Sequence, residues 1–233
     1  MKIQANDLVN FLEKTSLKGN INTAVLEFNA QGLKVQVQTS NIAFVKGELK
    51  KEVFKEYEAI GQVGIKNVQM FNALLKRYGS NIVSLKKENN VLKIISETGS
   101  TFYVLCEPEM VDNYIDKEIT LEKLDKGFEI DSAKLSSIKT AGDILKVNEI
   151  LIEIKENKLV MTTSNDIGDK ITEEVAVEYK DVKGKYGELL QKIIEVISGK
   201  VKISLDVEYP IKVSENKESY SIEYIVAPMV TEE

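Results

Sequence analysis

Apolar and polar residues alternate along most of this chain, and at four places the alternation gives way to a helical spacing. Leu8, Phe11, Leu12 and Thr15 recur at three- and four-residue intervals after Asn6-Asp7, which predicts an amphipathic helix capped by that pair. Strands are expected over 23–29 and 33–38, joined across Ala30-Gln31-Gly32. Val68, Phe71, Leu74, Leu75 and Tyr78 mark a second helix, with Gly79 as its stop. Strands over 82–86 and 91–96 then meet across Glu88-Asn89-Asn90, and Glu97-Thr98-Gly99-Ser100 turns the chain into a strand at 101–106. The same order returns further on. Leu135, Ile138 and Ala141 mark a third helix, strands follow over 149–155 and 158–163, and Leu189, Leu190, Ile193 and Ile197 mark a fourth before Gly199. Strands over 201–207, 211–214 and 220–227 follow it, with a further one expected over 171–179.

Short segments also repeat in colinear order. Leu26-Glu27-Phe28, Gly32-Leu33-Lys34 and Thr39-Ser40-Asn41 return as Ile152-Glu153-Ile154, Lys158-Leu159-Val160 and Thr163-Ser164-Asn165. Ser84-Leu85, Leu92-Lys93-Ile94 and Glu107-Pro108 return as Ser204-Leu205, Ile211-Lys212-Val213 and Ala227-Pro228. The offset is roughly 120 residues, about half of the chain, as a tandem duplication with small insertions would give. The expected architecture is therefore α+β, with two tandem similar domains of antiparallel sheet carrying two helices each. Their expected bounds are 1–107 and 128–233, separated by a connector at 108–127 that holds Pro108, a carboxylate cluster, Leu121 and Leu124.

Composition narrows the chemistry. The chain has 233 residues and a net charge of −6, which disfavours a protein that grips nucleic acid over its whole surface. Histidine is absent and Cys106 is the single cysteine, so the commonest general base and Cys-rich metal sites are missing. Met1 leads into Lys2-Ile3-Gln4 with no apolar leader, and no apolar run approaches membrane length, so a soluble, intracellular protein is expected. Gly61-Gln62-Val63-Gly64 lacks the Gly-Lys-Ser/Thr ending of a phosphate loop and reads as a turn entering the second helix. Asn165-Asp166-Ile167-Gly168-Asp169 lacks the ligand spacing of a calcium loop and reads as a hairpin turn. Glu173-Glu174 reads as solvated edge-strand charge and Cys106 as a small buried hydrophobe. No catalytic set, cofactor or metal is expected. Asn10, Lys14 and Lys18 lie four apart and are expected to form one polar stripe on the first helix.

The C-terminal run Tyr209-Pro210-Ile211-Lys212-Val213, then Tyr220 through Met229 with its Ala227-Pro228 pair, and the acidic end Glu232-Glu233, resembles the end of sliding clamps of the proliferating cell nuclear antigen type. Tyr186-Gly187 before Leu189-Leu190 is similar to a helix start in archaeal members. So is the run Gly64, Val68, Leu74, Leu75, Lys76, Gly79, Ile82, Val83 and Leu85 to the second helix and next strand of their first domain. The resemblance implies a non-enzymatic ring of three like chains that encircles duplex DNA without reading sequence. It would tether DNA polymerase and other clients bearing short clamp-binding peptides (PIP-box-like) and would be opened by a clamp loader. Asn10, Lys14, Lys18, Lys76, Arg77, Lys134, Lys139 and Lys192 would face the DNA, diluted by Glu188 and Glu195. Ala43, Val45, Leu121, Leu124, Ile225, Ala227, Pro228 and Met229 would line the client-peptide pocket. Phe102, Val104 and Cys106 on one strand, and Val175, Val177 and Tyr179 on another, would form the subunit interface. A β-rich protein-interaction adaptor with no DNA role is the alternative that the same residues allow.

Overall fold

Each half of the chain runs through one sequence of elements, and what fixes it is where apolar side chains can be buried. The protein is described by a computed structural model at residues 1–39, 43–115, 119 and 121–229. It divides into two units, Met1–Lys117 with Asn216–Ile222, and Glu118–Glu215 with Glu223–Glu233. In chain order the first unit contains β1 (Lys2–Gln4), α1 (Ala5–Thr15), β2 (Ala24–Asn29), β3 (Gly32–Thr39) and β4 (Ala43–Lys50). It continues with β5 (Gly61–Ile65), α2 (Val68–Lys76), β6 (Ile82–Glu88), β7 (Val91–Ser96) and β8 (Gly99–Val104). The later part of the chain runs β9 (Phe128–Asp131), α3 (Ser132–Leu145), β10 (Ile150–Lys155), β11 (Lys158–Ser164) and β12 (Lys170–Ala176). It ends with β13 (Val182–Tyr186), α4 (Glu188–Ile194), β14 (Lys200–Ser204), β15 (Ile211–Asn216) and β16 (Tyr220–Val226).

Strand order repeats as well. The first half of the chain has antiparallel runs β1-β6-β7-β8 and β5-β2-β3-β4, and the second half has β9-β14-β15-β16 and β13-β10-β11-β12. Position for position these are one topology used twice, so the short sequence echoes mark a duplication of the whole domain. The echo residues Ser40 and Asn41, and the acidic pair Glu232-Glu233, lie outside the described residues.

Local chemistry sets the helix ends. Asn67 caps α2 by accepting from Met70 N at 2.7 Å, and Asp131 caps α3 by accepting from Ala133 N at 2.9 Å. The start of α1 differs from the sequence expectation. It begins at Ala5, and its cap residue Gln4 makes no side-chain bond. The carbonyls of Asn81 and Gly79 instead accept from Ala5 N at 3.0 Å and Asn6 N at 3.1 Å, so Asn6-Asp7 sits inside the first turn. The apolar face of α2 packs Phe71 edge-on against Tyr103 of β8, with centroids 5.0 Å apart. The Tyr103 hydroxyl in turn accepts from Asn67 N at 3.1 Å, which ties the cap of α2 to the sheet beneath it.

Three further expectations are corrected. Gly61–Ile65 is not a turn but strand β5, with Ala24 opposite Ile65 and Phe28 opposite Gly61 on β2. The strand expected over 171–179 stops at Ala176, and the one expected over 101–106 runs from Gly99 to Val104. Cys106 therefore lies past β8, half-buried, in an isolated bridge to Gly64. Asn165–Asp169 is the hairpin turn between β11 and β12, held by Asp169 N donating to Asn165 Oδ1 at 2.9 Å. No described helix is long and apolar enough to cross a membrane.

Candidate functional site

The polar faces of the four helices carry the cations. On α1, Asn10 is exposed, while the Lys14 ammonium stands 5.7 Å from the centroid of the Tyr220 ring. The expected stripe is broken at its third member. The helix ends at Thr15, and Lys18 lies beyond it in a tight turn. Lys76 at the end of α2 pairs with Glu13 of α1 at 2.5 Å. Lys139 of α3 is held by Asp143 at 2.7 Å and by Glu195 at 3.2 Å. Its pKa is raised above the ordinary lysine value, first by the hydrogen bond to Asp143 and then by Glu195, with desolvation opposing them. Lys192 stands 4.0 Å from Glu188 on α4. Lys18, Arg77 and Lys134 are exposed and engaged in no ion pair among the described residues. The sequence shows the lysines, but not that three of them already face a carboxylate.

The turn after α1 has unusual backbone geometry. Leu17, Lys18 and Gly19 take φ of 49°, 53° and 92° in succession. A non-glycine residue in this region costs about 1–2 kcal/mol, so surrounding contacts must hold it. Leu17 is 1% exposed and anchors the turn in the core. Asn20 Nδ2 donates to Leu17 O at 2.6 Å, and Gln69 Nε2 donates to Gly19 O at 3.1 Å.

A second feature lies in the second unit. A depression of about 500 Å³ is lined by Leu151, Lys183, Gly184, Lys185, Val207, Glu208, Tyr209, Pro228 and Met229. The chain after β16 forms one wall by running beside β13, where Met229 N donates to Lys185 O at 2.8 Å. Val207 and Met229 expose apolar surface here, and the Lys123 ammonium lies 5.1 Å from the Tyr209 ring centroid. Of the expected pocket residues only Pro228 and Met229 line this depression. Leu121 and Ala227 are half-buried, and Ala43, Val45, Leu124 and Ile225 are buried. Leu151, Val207 and Tyr209 are not among the expected pocket residues, because a half-exposed apolar residue near a strand end carries no periodic signal of a pocket.

Two strand edges form the third feature. β8 and β12 each end a sheet run, and neither has a backbone partner on its outer side among the described residues. Coil meets the edges of β1 and β5, while the four-residue edge strand β9 likewise has no outer backbone partner among the described residues. Lys2 N of β1 donates to Glu56 O at 2.7 Å, and Gly64 O of β5 accepts from Cys106 N at 3.1 Å. On β8, Phe102 and Val104 are 59% and 49% exposed while Tyr103 between them is buried. On β12, Ser137 of α3 donates to Glu173 at 2.6 Å, and Val175 is half-buried. Val177 and Tyr179 lie beyond that strand. Tyr179 packs edge-on against Phe128 at 5.3 Å, and its hydroxyl lies 2.9 Å from Leu205 O.

A duplicated α+β unit with two four-stranded runs and two helices is the fold of sliding clamps. More specifically it is that of the proliferating cell nuclear antigen, shared over the full chain with two solved structures. A. fulgidus PCNA, in a structure with the C-terminal region of FEN-1 bound, matches with a TM-score of 0.83 at 16% identity, covering 100% of this chain and 98% of that one. Proliferating cellular nuclear antigen from Entamoeba histolytica matches with a TM-score of 0.80 at 18% identity, covering 98% of each chain. At the level of sequence, no family model and no curated protein matches. At this identity the likeness establishes the fold.

Proposed function

We propose that this chain is a DNA sliding clamp, a non-enzymatic intracellular processivity factor that encircles duplex DNA and tethers polymerase and other replication and repair enzymes to it. The observation that carries this reading is the duplicated clamp domain, matched over its whole length by two PCNA structures. Three copies of a two-domain chain close a six-domain ring. The unpaired edges support it. β8 and β12 belong to different sheets, so the joint is head-to-tail, and an association of that kind must close into a ring or run on as a filament. Phe102 and Val104 are the apolar contacts of the β8 side. Val175 flanks the β12 side, whereas Cys106, Val177 and Tyr179 support the strand ends.

DNA passes the helix faces and is held by non-specific attraction of phosphates to the cations there, Asn10 adding a polar contact. Tethering raises the local concentration of a client without any contact that reads sequence. The FEN-1 region bound to the A. fulgidus protein supports client docking through short peptides. Here the depression beside Pro228 and Met229 is the anchor site, with Leu121 of the connector at 108–127 adding to it and Leu124, Ile225 and Ala227 forming its support. Ala43 and Val45 are buried in β4 of the first unit and hold that strand in place, without offering surface to a peptide. Sedimentation equilibrium tests the reading: a mass of three times 26.2 kDa is expected at micromolar concentration. One chain mass would leave the adaptor reading standing.

A further inference from the structure

One hydroxyl of the second unit joins the two segments that flank the depression beside Met229. Tyr179 lies beyond β12, and its single proton has two carbonyl acceptors in reach, Leu205 O at 2.9 Å and Lys126 O at 3.1 Å. The same oxygen accepts from Leu205 N at 3.3 Å, and Phe128 packs edge-on against the ring. Tyr179 does not itself line the depression. Leu205 opens the loop between β14 and β15, and Val207, Glu208 and Tyr209 of that loop form one wall. Neighbouring Lys180 pairs with Asp206 at 2.7 Å, and Asp206 accepts from Val207 N at 2.8 Å. On the other side lies the connector. Leu124 is buried, Lys202 Nζ donates to Asp125 O at 2.9 Å, and the Lys123 ammonium stands over the Tyr209 ring. Gly127 lies so close to β14 that a Cβ there would stand 2.4 Å from Ile203 O. The connector end, Tyr179 and the wall loop thus close one circuit of contacts. A wall fixed before a peptide arrives lowers the ordering cost of binding it.

We propose that Tyr179 is a positioning residue for client docking, whose hydroxyl holds the connector end and the 205–209 loop in the arrangement a peptide meets. This rests on the reading of that depression as the anchor site. The test is fluorescence anisotropy of a labelled peptide from the FEN-1 C-terminal region, titrated with the full chain, alongside amide hydrogen exchange and sedimentation. Tyr179→Phe keeps the ring on Phe128 and removes only the hydroxyl. It should weaken peptide binding about three- to tenfold. It should also speed exchange at the Leu124, Leu205 and Tyr209 amides and leave the three-chain mass unchanged. Tyr57→Phe is the control. Its hydroxyl lies 2.8 Å from Asn29 O and 2.6 Å from Gly32 O in the first unit, none of whose residues line the depression. That variant loses a like tie and should bind peptide as wild type does. Wild-type affinity in folded Tyr179→Phe, or unchanged exchange at Leu124, overturns the positioning. Equal weakening in Tyr57→Phe overturns it in favour of general loosening, and a fall in mass in Tyr179→Phe overturns it in favour of the subunit joint. Undiminished binding in Met229→Glu, or no binding by wild type, overturns the docking reading itself and the proposal with it.

Discussion

Lys139 is a cation better explained by structure than by DNA. Its ammonium joins Asp143 on its own helix to Glu195 at the end of α4, so it ties the two helices of the second unit. Lys139→Met should lower the unfolding free energy by about 0.5–1 kcal/mol, the range for a partly exposed pair, as read by urea denaturation. Its pH dependence has a defined sign. A lysine whose folded pKa is raised stabilises fully below its ordinary value, and that contribution fades as pH climbs through the raised folded value. The stability gap between Lys139→Met and wild type should therefore be flat from about pH 6 to 9 and shrink only in the alkaline range, roughly above pH 10. A gap that closed near neutrality would place the stabilisation elsewhere. Asp206 works in the opposite direction: the bond from Lys180 and the Val207 N–H hold its carboxyl below the ordinary value, so its contribution is present at neutral pH and lost on acidification.

At the scale of elements, helix propensity and packing compete at Gly142. Glycine inside a helix costs about 1 kcal/mol relative to alanine, so Gly142→Ala in α3 would ordinarily stabilise. Here an added Cβ would stand 2.9 Å from both the Val147 carbonyl oxygen and Gln191 Nε2, and that amide already donates to Val147 O at 3.0 Å. Backbone cannot swing aside, so Gly142→Ala should instead destabilise by about 1–3 kcal/mol in chemical denaturation. Periodicity made all four helices legible in the sequence, along with most strands of regular alternation. It missed β4 and β5, where glycine interrupts the pattern for tertiary reasons: a Cβ on Gly47 would collide with the Thr15 methyl, and one on Gly64 with the Cys106 carbonyl. β1, with three residues, and β9, with four, were too short to read, and β13 went unread because Gly184 interrupts its alternation. Lysine positions were visible too, but Lys76 finds its carboxylate on another helix, and no local spacing announces such a pair.

For the whole molecule, assembly depends on two strand edges. Phe102→Glu with Val104→Glu places two desolvated charges in the joint while leaving the buried Tyr103 side untouched. Sedimentation should show the trimer reduced to single chains, with the monomer still giving the folded circular dichroism spectrum. Persistence of three-chain mass would move the joint away from β8. The unlike character of β8 and β12 has one more result. A ring joined only head-to-tail has cyclic symmetry without a perpendicular two-fold axis, so its two faces differ. Under the clamp reading, all three copies of the depression beside Met229 open toward the same face. The ring would then be a directional collar: a client meets its docking sites from one side of travel along the duplex and bare protein from the other.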